Sequence, residues 1–408
     1  MASLTICPSP RIAGDAPWRG EERETSDILP AELWSEILVR LPAQSLLTLK
    51  SVSKAFLSLI KNPNFASLHF SRFHKDHCFS KGADLLLLSR PIDDSFSCNC
   101  EFYLVLRRYT PLATTEFEFR IHRGDYCGVV GYVHGLLFLH RRKSGLEDLI
   151  LCNPSMRKGL IVPPSPSSHL GPSRLGFGYD PISNDYKVVS IVYIDYEYEA
   201  SFRNVFEVYS LRTESWRSIG FDLILMCNGC FLHNYVYANG ALHWIVCLDE
   251  DFRGPENYFV SHLISFDLGT ELFSYKKLPE FDICDGAINV VKLLVVFHGS
   301  VAVFFITACH ISVWVMREGN WINEWTIGSG PILYNYLSNE MDSISSAVFS
   351  DERSELLVAG SNGMVSYDIE TRQFKFCDPS VIHVDMYMDS LLWRESLPHW
   401  KPLMRAKN

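Results

Sequence analysis

The sequence predicts a small all-α module followed by a large all-β domain, and three observations predict it. Apolar residues recur at helical spacing only between residues 29 and 70. Short β-branched and aromatic runs bounded by Gly, Asn, Asp and Pro fill the chain from about residue 80. A hairpin signal then returns at roughly even intervals. At 408 residues the chain exceeds one typical domain. Its 47% apolar and 21% charged content is that of a globular protein, and 13% aromatics suits strands.

In the helical module, Leu29, Leu33, Ile37, Leu38 and Leu41 lie three to four residues apart, on one helix face. Pro30 fits a first helical turn, where a missing N–H costs nothing, Asp27 can cap just upstream, and Pro42 stops the helix. A second short helix carries Leu46, Leu47 and Leu49. A third carries Val52, Phe56, Leu59 and Ile60 and ends at Asn62-Pro63, leaving a last turn or two from Asn64 to Phe70. Helices this short are marginal alone, and about forty residues bury too little surface for comfort. The apolar positions nevertheless exceed what one face of such a bundle can hide. Pattern alone leaves two covers open, a second protein or the β domain behind it. The expected divisions are a disordered leader at 1–26, the helical module at 27–72, a linker at 73–83, the β domain at 84–396 and a tail at 397–408.

In the β domain the runs Leu85 to Leu88, Val129 to Val133, Val188 to Ile194, Val236 to Val246 and Val301 to Phe305 read as strands, with no amphipathic helix among them. A repeat places an aromatic, then Ser or Thr four later, then an aromatic seven later: Tyr179/Ser183/Tyr186, Tyr209/Thr213/Trp216, Phe266/Thr270/Phe273 and Tyr367/Thr371/Phe374. Trp314 and Trp321 keep the aromatic pair alone. Each unit reads as strand, turn, strand, with Asp180-Pro181 opening a type I turn. The pairs His134-Gly135, Asn239-Gly240, His298-Gly299 and Asn362-Gly363 each open an apolar strand. Their spacing is about 50 to 60 residues if the first gap hides another unit, close to the kelch period, so a kelch-like β-propeller of about six blades is expected. Tyr179 and Tyr209 are too close for one hairpin per blade; two hairpins of one blade would explain them.

A net charge of −10 and a pI of about 5.8 argue against sequence-independent nucleic-acid binding. Ile288 to Ala308 is long and apolar enough to suggest a membrane span, but Lys292 and His298-Gly299-Ser300 interrupt it, and two strands joined by a glycine turn fit better. No secretory signal and no usable sequon is visible, Asn153-Pro154-Ser155 being blocked by proline. Twelve scattered cysteines then read as free thiols of a cytoplasmic or nuclear protein.

Catalytic constellations are missing. Cys227 and Cys230 with His233 have no second ligand pair at finger spacing, so no metal or other cofactor is expected. His69, His74, His77 and Cys78 read as a solvated linker. Gly176-Phe177-Gly178 is followed by Tyr-Asp-Pro and not by a helix, which excludes a nucleotide loop. Trp216, Trp244, Trp314, Trp321 and Trp325 read as core between blades.

The helical segment resembles the F-box in Leu29-Pro30, Ile37-Leu38, Leu41-Pro42, Ser45-Leu46-Leu47 and Val52-Ser53-Lys54. It departs where the plant pattern has Cys and Trp, with Ser51 and Phe56 instead. The resemblance implies docking on a Skp-type adaptor through Leu29, Pro30, Leu33, Ile37, Leu38, Leu41, Pro42, Leu46, Leu49, Val52, Ser53 and Phe56, and through it on cullin and RING subunits. From about 130 to 390 the chain resembles the F-box-associated domain of plant F-box proteins. The marks are Gly135-Leu136-Leu137, Cys152-Asn153-Pro154 with Arg157, Leu175 to Asp180, Tyr186 to Val189, Val208-Tyr209-Ser210 with Trp216, Asn239 to Trp244, and Ile264 to Asp267. That implies a propeller presenting an unidentified protein target, and a chain without bond chemistry of its own. The expected function is substrate recognition in a Skp–cullin–F-box ubiquitin ligase, with no nucleic acid and no membrane as partner. The rival is an adaptor-bound scaffold outside a cullin ligase.

Overall fold

The computed structural model describes residues 29–77, 84–89, 103–107, 126–143, 146–156, 158–195, 202–220, 235–246, 261–280, 290–328, 331–339, 344–351, 354–360, 362–379, 381–387 and 391–392. The leader at 1–26 with the neighbouring Asp27, the Cys227/Cys230/His233 group, Cys78 and the tail at 397–408 lie outside the described residues.

Four helices open the chain: α1 (Ala31–Leu38), α2 (Ala43–Leu49), α3 (Lys54–Lys61) and α4 (Pro63–His77). Both Leu-Pro pairs act alike. Pro30 and Pro42 hold an extended ψ of 150° and 148° just before α1 and α2, and their carbonyls accept the first helical bonds. Ser53 caps α3 by accepting the Ala55 N–H at 3.1 Å, so Val52 sits in the turn before that helix. The last element is longer than the sequence indicated, since α4 runs on to His77.

Two strands of the closing sheet follow, β1 (Asp84–Ser89) and β2 (Tyr103–Arg107). Blade 1 holds β3 (Tyr126–Val133), β4 (Leu136–Lys143), β5 (Leu146–Asn153) and β6 (Lys158–Val162). Blade 2 holds β7 (Ser173–Asp180), β8 (Asp185–Asp195), β9 (Phe202–Ser210) and β10 (Ser215–Ile219). Blade 3 holds β11 (Tyr235–Ala238), β12 (Ala241–Val246), β13 (His262–Asp267) and β14 (Phe273–Lys277). Blade 4 holds β15 (Val291–Phe297), β16 (Ser300–Ile306), β17 (His310–Arg317) and β18 (Asn320–Gly328). After α5 (Pro331–Asn339), blade 5 holds β19 (Ile344–Ser350), β20 (Glu355–Gly360), β21 (Gly363–Asp368) and β22 (Gln373–Asp378), and β23 (Val381–Tyr387) ends the series.

All five blades are antiparallel meanders. β23 pairs with β1, so among the described residues the last strand joins the first, in a three-stranded sheet ordered β2-β1-β23. Innermost strands touch in the cycle β23, β3, β7, β11, β15, β19, which closes the propeller. Against the expected count of about six, five blades have four strands, and the closing sheet has three among the described residues.

Turn chemistry explains the repeats. His134-Gly135, Asn239-Gly240 and His298-Gly299 have positive φ at both positions, the type I′ geometry, and join the first two strands of blades 1, 3 and 4. Asn362-Gly363 instead joins the second and third strands of blade 5. In the aromatic repeat, the residue after the first aromatic secures the turn. Asp267 accepts N–H bonds from Gly269 and Thr270, Asp180 from Ile182 and Ser183, and Asp368 from Thr371. Tyr179/Tyr186 and Tyr209/Trp216 belong to two hairpins of blade 2, which accounts for their short separation. The apolar stretch weighed as a membrane span is the β15–β16 hairpin.

The core is divided into wedges between neighbouring blades. Gly176 and Gly178 let blade 3 approach blade 2, since a Cβ would stand 2.7 Å from Trp244 and 2.5 Å from Leu268 respectively. Lys187 pins the same seam, its buried ammonium donating to Asp180 (2.8 Å), Glu271 (2.7 Å) and the Leu268 carbonyl (2.6 Å). Trp244 is buried; Trp216, Trp314, Trp321 and Trp325 pack against the wedges half-buried. Two expectations need correction. Among its described residues the β domain contains an α-helix, α5, whose Leu333 and Leu337 fill the wedge between blades 4 and 5. Cys309, exposed on the β16–β17 turn, is disulfide-bonded, whereas Cys377 is a free thiol.

Candidate functional site

The helical module buries one set of its leucines and leaves another set wet. Leu38, Val39, Ala43, Leu46, Ile60, Phe65 and Ala66 form its core. Leu33 and Ile37 stand one helical turn apart on α1 and are 47% and 45% exposed; Val52, in the turn before α3, is 67% exposed. Pro30 is exposed as well, while Leu29, Leu41, Pro42, Leu49, Ser53 and Phe56 are half-buried. Besides those six half-buried residues, the twelve singled out from the sequence include two further groups. Leu38 and Leu46 hold the module together, and Pro30, Leu33, Ile37 and Val52 supply its apolar outer surface.

Phe56 packs edge-on against Trp34 at 5.0 Å, which ties α3 to α1 and keeps an aromatic anchor where the plant pattern has Trp. Glu36 and Arg72 pair at 3.1 Å between α1 and α4. His69 corrects the solvated-linker reading. Its ring is fully buried beside Phe65, and Nε2 lies 2.8 Å from the Leu41 carbonyl in the turn between α1 and α2. The side chains of His74 and His77 are outside the described set.

The module is seated on the propeller. Phe70 of α4 packs on His134 at 4.4 Å, and His134 in turn meets Tyr179 at 4.7 Å and the Tyr186 hydroxyl at 3.3 Å. Burial first, then Tyr179, Tyr237 and Tyr132, push the Tyr186 pKa well up, so this hydroxyl stays protonated. A second contact comes from the chain's far end. Leu391 and Leu392 lie in the core of the helical module, and the Leu392 carbonyl accepts the Asn153 side-chain N–H at 2.8 Å. His134 follows the first strand of blade 1 and Asn153 ends the third, so both contacts are made at the end of the propeller that carries the tight turns of blades 1, 3 and 4. Strand direction puts α5 and the segment 163–172 at the opposite end. Sequence reasoning had no signal for Leu391 and Leu392, because nothing local marks a leucine pair as belonging to helices more than three hundred residues away.

Among the described residues no group of three or more His, Cys, Asp or Glu is placed to hold a metal ion, and no helix is long and apolar enough to cross a membrane.

The comparisons agree with this architecture. The F-box domain matches residues 27–68, and the F-box associated beta propeller domain matches residues 76–376. The chain is 27% identical to the F-box protein CPR1 of Arabidopsis thaliana, over 89% of this chain and 88% of that one. It is 26% identical to the Arabidopsis thaliana F-box/kelch-repeat protein At3g23880, over 84% and 90% respectively. A helical module and a propeller matched in this order across most of the chain place it in one family: it is a plant F-box protein with an F-box-associated β-propeller domain.

Proposed function

We propose that this chain is the substrate-recognition subunit of a Skp–cullin–F-box ubiquitin ligase, working in the cytoplasm or nucleus. The F-box binds the Skp-type adaptor and the propeller holds a protein target. The observation that carries this reading is the wet apolar surface of Pro30, Leu33, Ile37 and Val52 on a module whose core leucines, Leu38 and Leu46, are covered. The chain makes and breaks no bond itself. Holding target and ligase on one body raises the effective concentration of target lysines at the ubiquitin-charged enzyme. With the F-box on the tight-turn end, the end bearing α5 and 163–172 is the one turned toward a target.

Leu33→Asp together with Ile37→Asp puts two charges on that surface without touching the buried core. Co-purification of the full chain with the Skp-type adaptor is expected to be lost; undiminished co-purification overturns the assignment. Reconstituted ubiquitin transfer separates this reading from a scaffold outside a cullin ligase: transfer onto the chain or a captured target is expected, and its absence from an intact adaptor–cullin complex favours the scaffold.

A further inference from the structure

The F-box core is not built from the F-box alone. Its buried residues from α1 to α4 enclose Leu391 and Leu392, 2% and 5% exposed, which follow the last strand of the propeller. That placement is fixed twice over. Upstream, β23 is zipped to β1 as part of the closing sheet. At the pair itself, Asn153 donates its side-chain N–H to the Leu392 carbonyl while its own carbonyl oxygen accepts the Met156 N–H at 2.9 Å, so a fully buried amide is locked between blade 1 and the C-terminal segment. Asn153 is among the residues through which the chain resembles its family, and this bond gives it a physical role.

A module of four short helices depends on tertiary packing for its order. Part of that packing reaches this module only when β23 has taken its place in the ring. We propose that Leu391 and Leu392, held by Asn153, are positioning residues for adaptor recognition: the C-terminal segment couples closure of the propeller to order in the F-box, so that a chain with an unclosed ring does not present its adaptor surface. This rests on the adaptor reading above and deepens it. The coupling is reciprocal, as any linkage of two equilibria must be, so adaptor binding stabilises the β1–β23 seam in return.

Hydrogen exchange on the full chain, with and without the purified Skp-type adaptor, tests it alongside adaptor affinity. In Leu391→Asp/Leu392→Asp, amides of α1 to α4 are expected to lose protection without adaptor, amides of β7 to β18 to keep it, and adaptor affinity to fall at least tenfold. Leu391→Met/Leu392→Met is expected to restore both. Asn153→Asp keeps the acceptor for Met156 and removes the donor to Leu392. It is expected to weaken adaptor binding about threefold or more with β7 to β18 unchanged, and it decides the matter should the aspartate pair unfold the propeller. In the parent chain, added adaptor should slow exchange in β1 and β23. Unchanged affinity and unchanged α1–α4 protection in both variants overturns the coupling. A parent chain that fails to bind adaptor while the aspartate pair still frees α1 to α4 overturns the adaptor reading and leaves the structural link standing.

Discussion

Two buried imidazoles make part of this molecule's stability depend on acid. Burial lowers the pKa of His383, on β23, to about 4, and its Nε2 has no hydrogen-bond partner among the described residues. Burial likewise lowers His243 to about 4, against a bond to the Ala238 carbonyl that pulls the other way. Both are neutral when folded, while the unfolded chain takes up their protons near pH 6.5. Their stabilising effect is therefore complete above pH 6.5 and is lost as pH falls toward 4, by up to about 1.4 kcal/mol per pH unit for each group. Urea unfolding between pH 7 and pH 4.5 should show this decline, and His383→Leu should flatten it and raise stability more at pH 5 than at pH 8. A parallel decline in parent and variant would remove His383 from the account. Single residues were the least legible level of the sequence. His69 looked like part of a polar linker because its local neighbours are polar, yet the carbonyl it serves lies on another element.

The hairpins were the most legible elements, since their signals are local. Asn-Gly and its His-Gly substitutes supply two left-handed residues wherever they stand, and the sequence shows them directly. The aromatic–hydroxyl–aromatic repeat was also visible, but its cause lies one residue along, where Asp267, Asp180 and Asp368 gather the N–H groups of the turn. Asp267 takes three such bonds, from the Gly269 N–H, the Thr270 N–H and the Thr270 hydroxyl. Asp267→Ala leaves the backbone of an exposed turn to water, so a cost of about 1 kcal/mol is expected, the size of a lost cap. Denaturant unfolding should read that loss, with faster amide exchange in β13 and β14; a cost below a few tenths would show the turn is held by its strands alone. Less was legible in α5. Its two anchoring leucines are four apart, but nine residues are too few to assert a helical period among strands.

Over the whole molecule, the order of domains could be read from the sequence, but the joint between them could not. That joint brings together Phe70, His134, Asn153 and Leu392 from four separate stretches of chain, and no periodicity links them. It also works against charge. Lys50, at the end of α2, has its pKa lowered by burial, then by Lys158 at the start of β6, then by Lys61. A lysine whose folded pKa is lowered destabilises the fold while it is protonated; that penalty persists below the folded pKa and fades as pH rises toward 10.5. At neutral pH the joint therefore closes against the cost of burying the Lys50 ammonium and, second to it, the repulsion from Lys158 and Lys61, and the apolar contacts of Leu391 and Leu392 oppose that cost. Salt screens like charges as it screens opposite ones, so added salt should tighten this joint. Lys158→Glu turns the main charge repulsion on Lys50 into an attraction, worth a few tenths of a kcal/mol to about 1 kcal/mol for a partly exposed pair. Amide protection in α2 and α3 is expected to rise in this variant at 20 mM salt and to fall as salt is added, whereas in the parent it rises with salt. The same salt response in both would show that repulsion from Lys158 does not bear on how the F-box is seated.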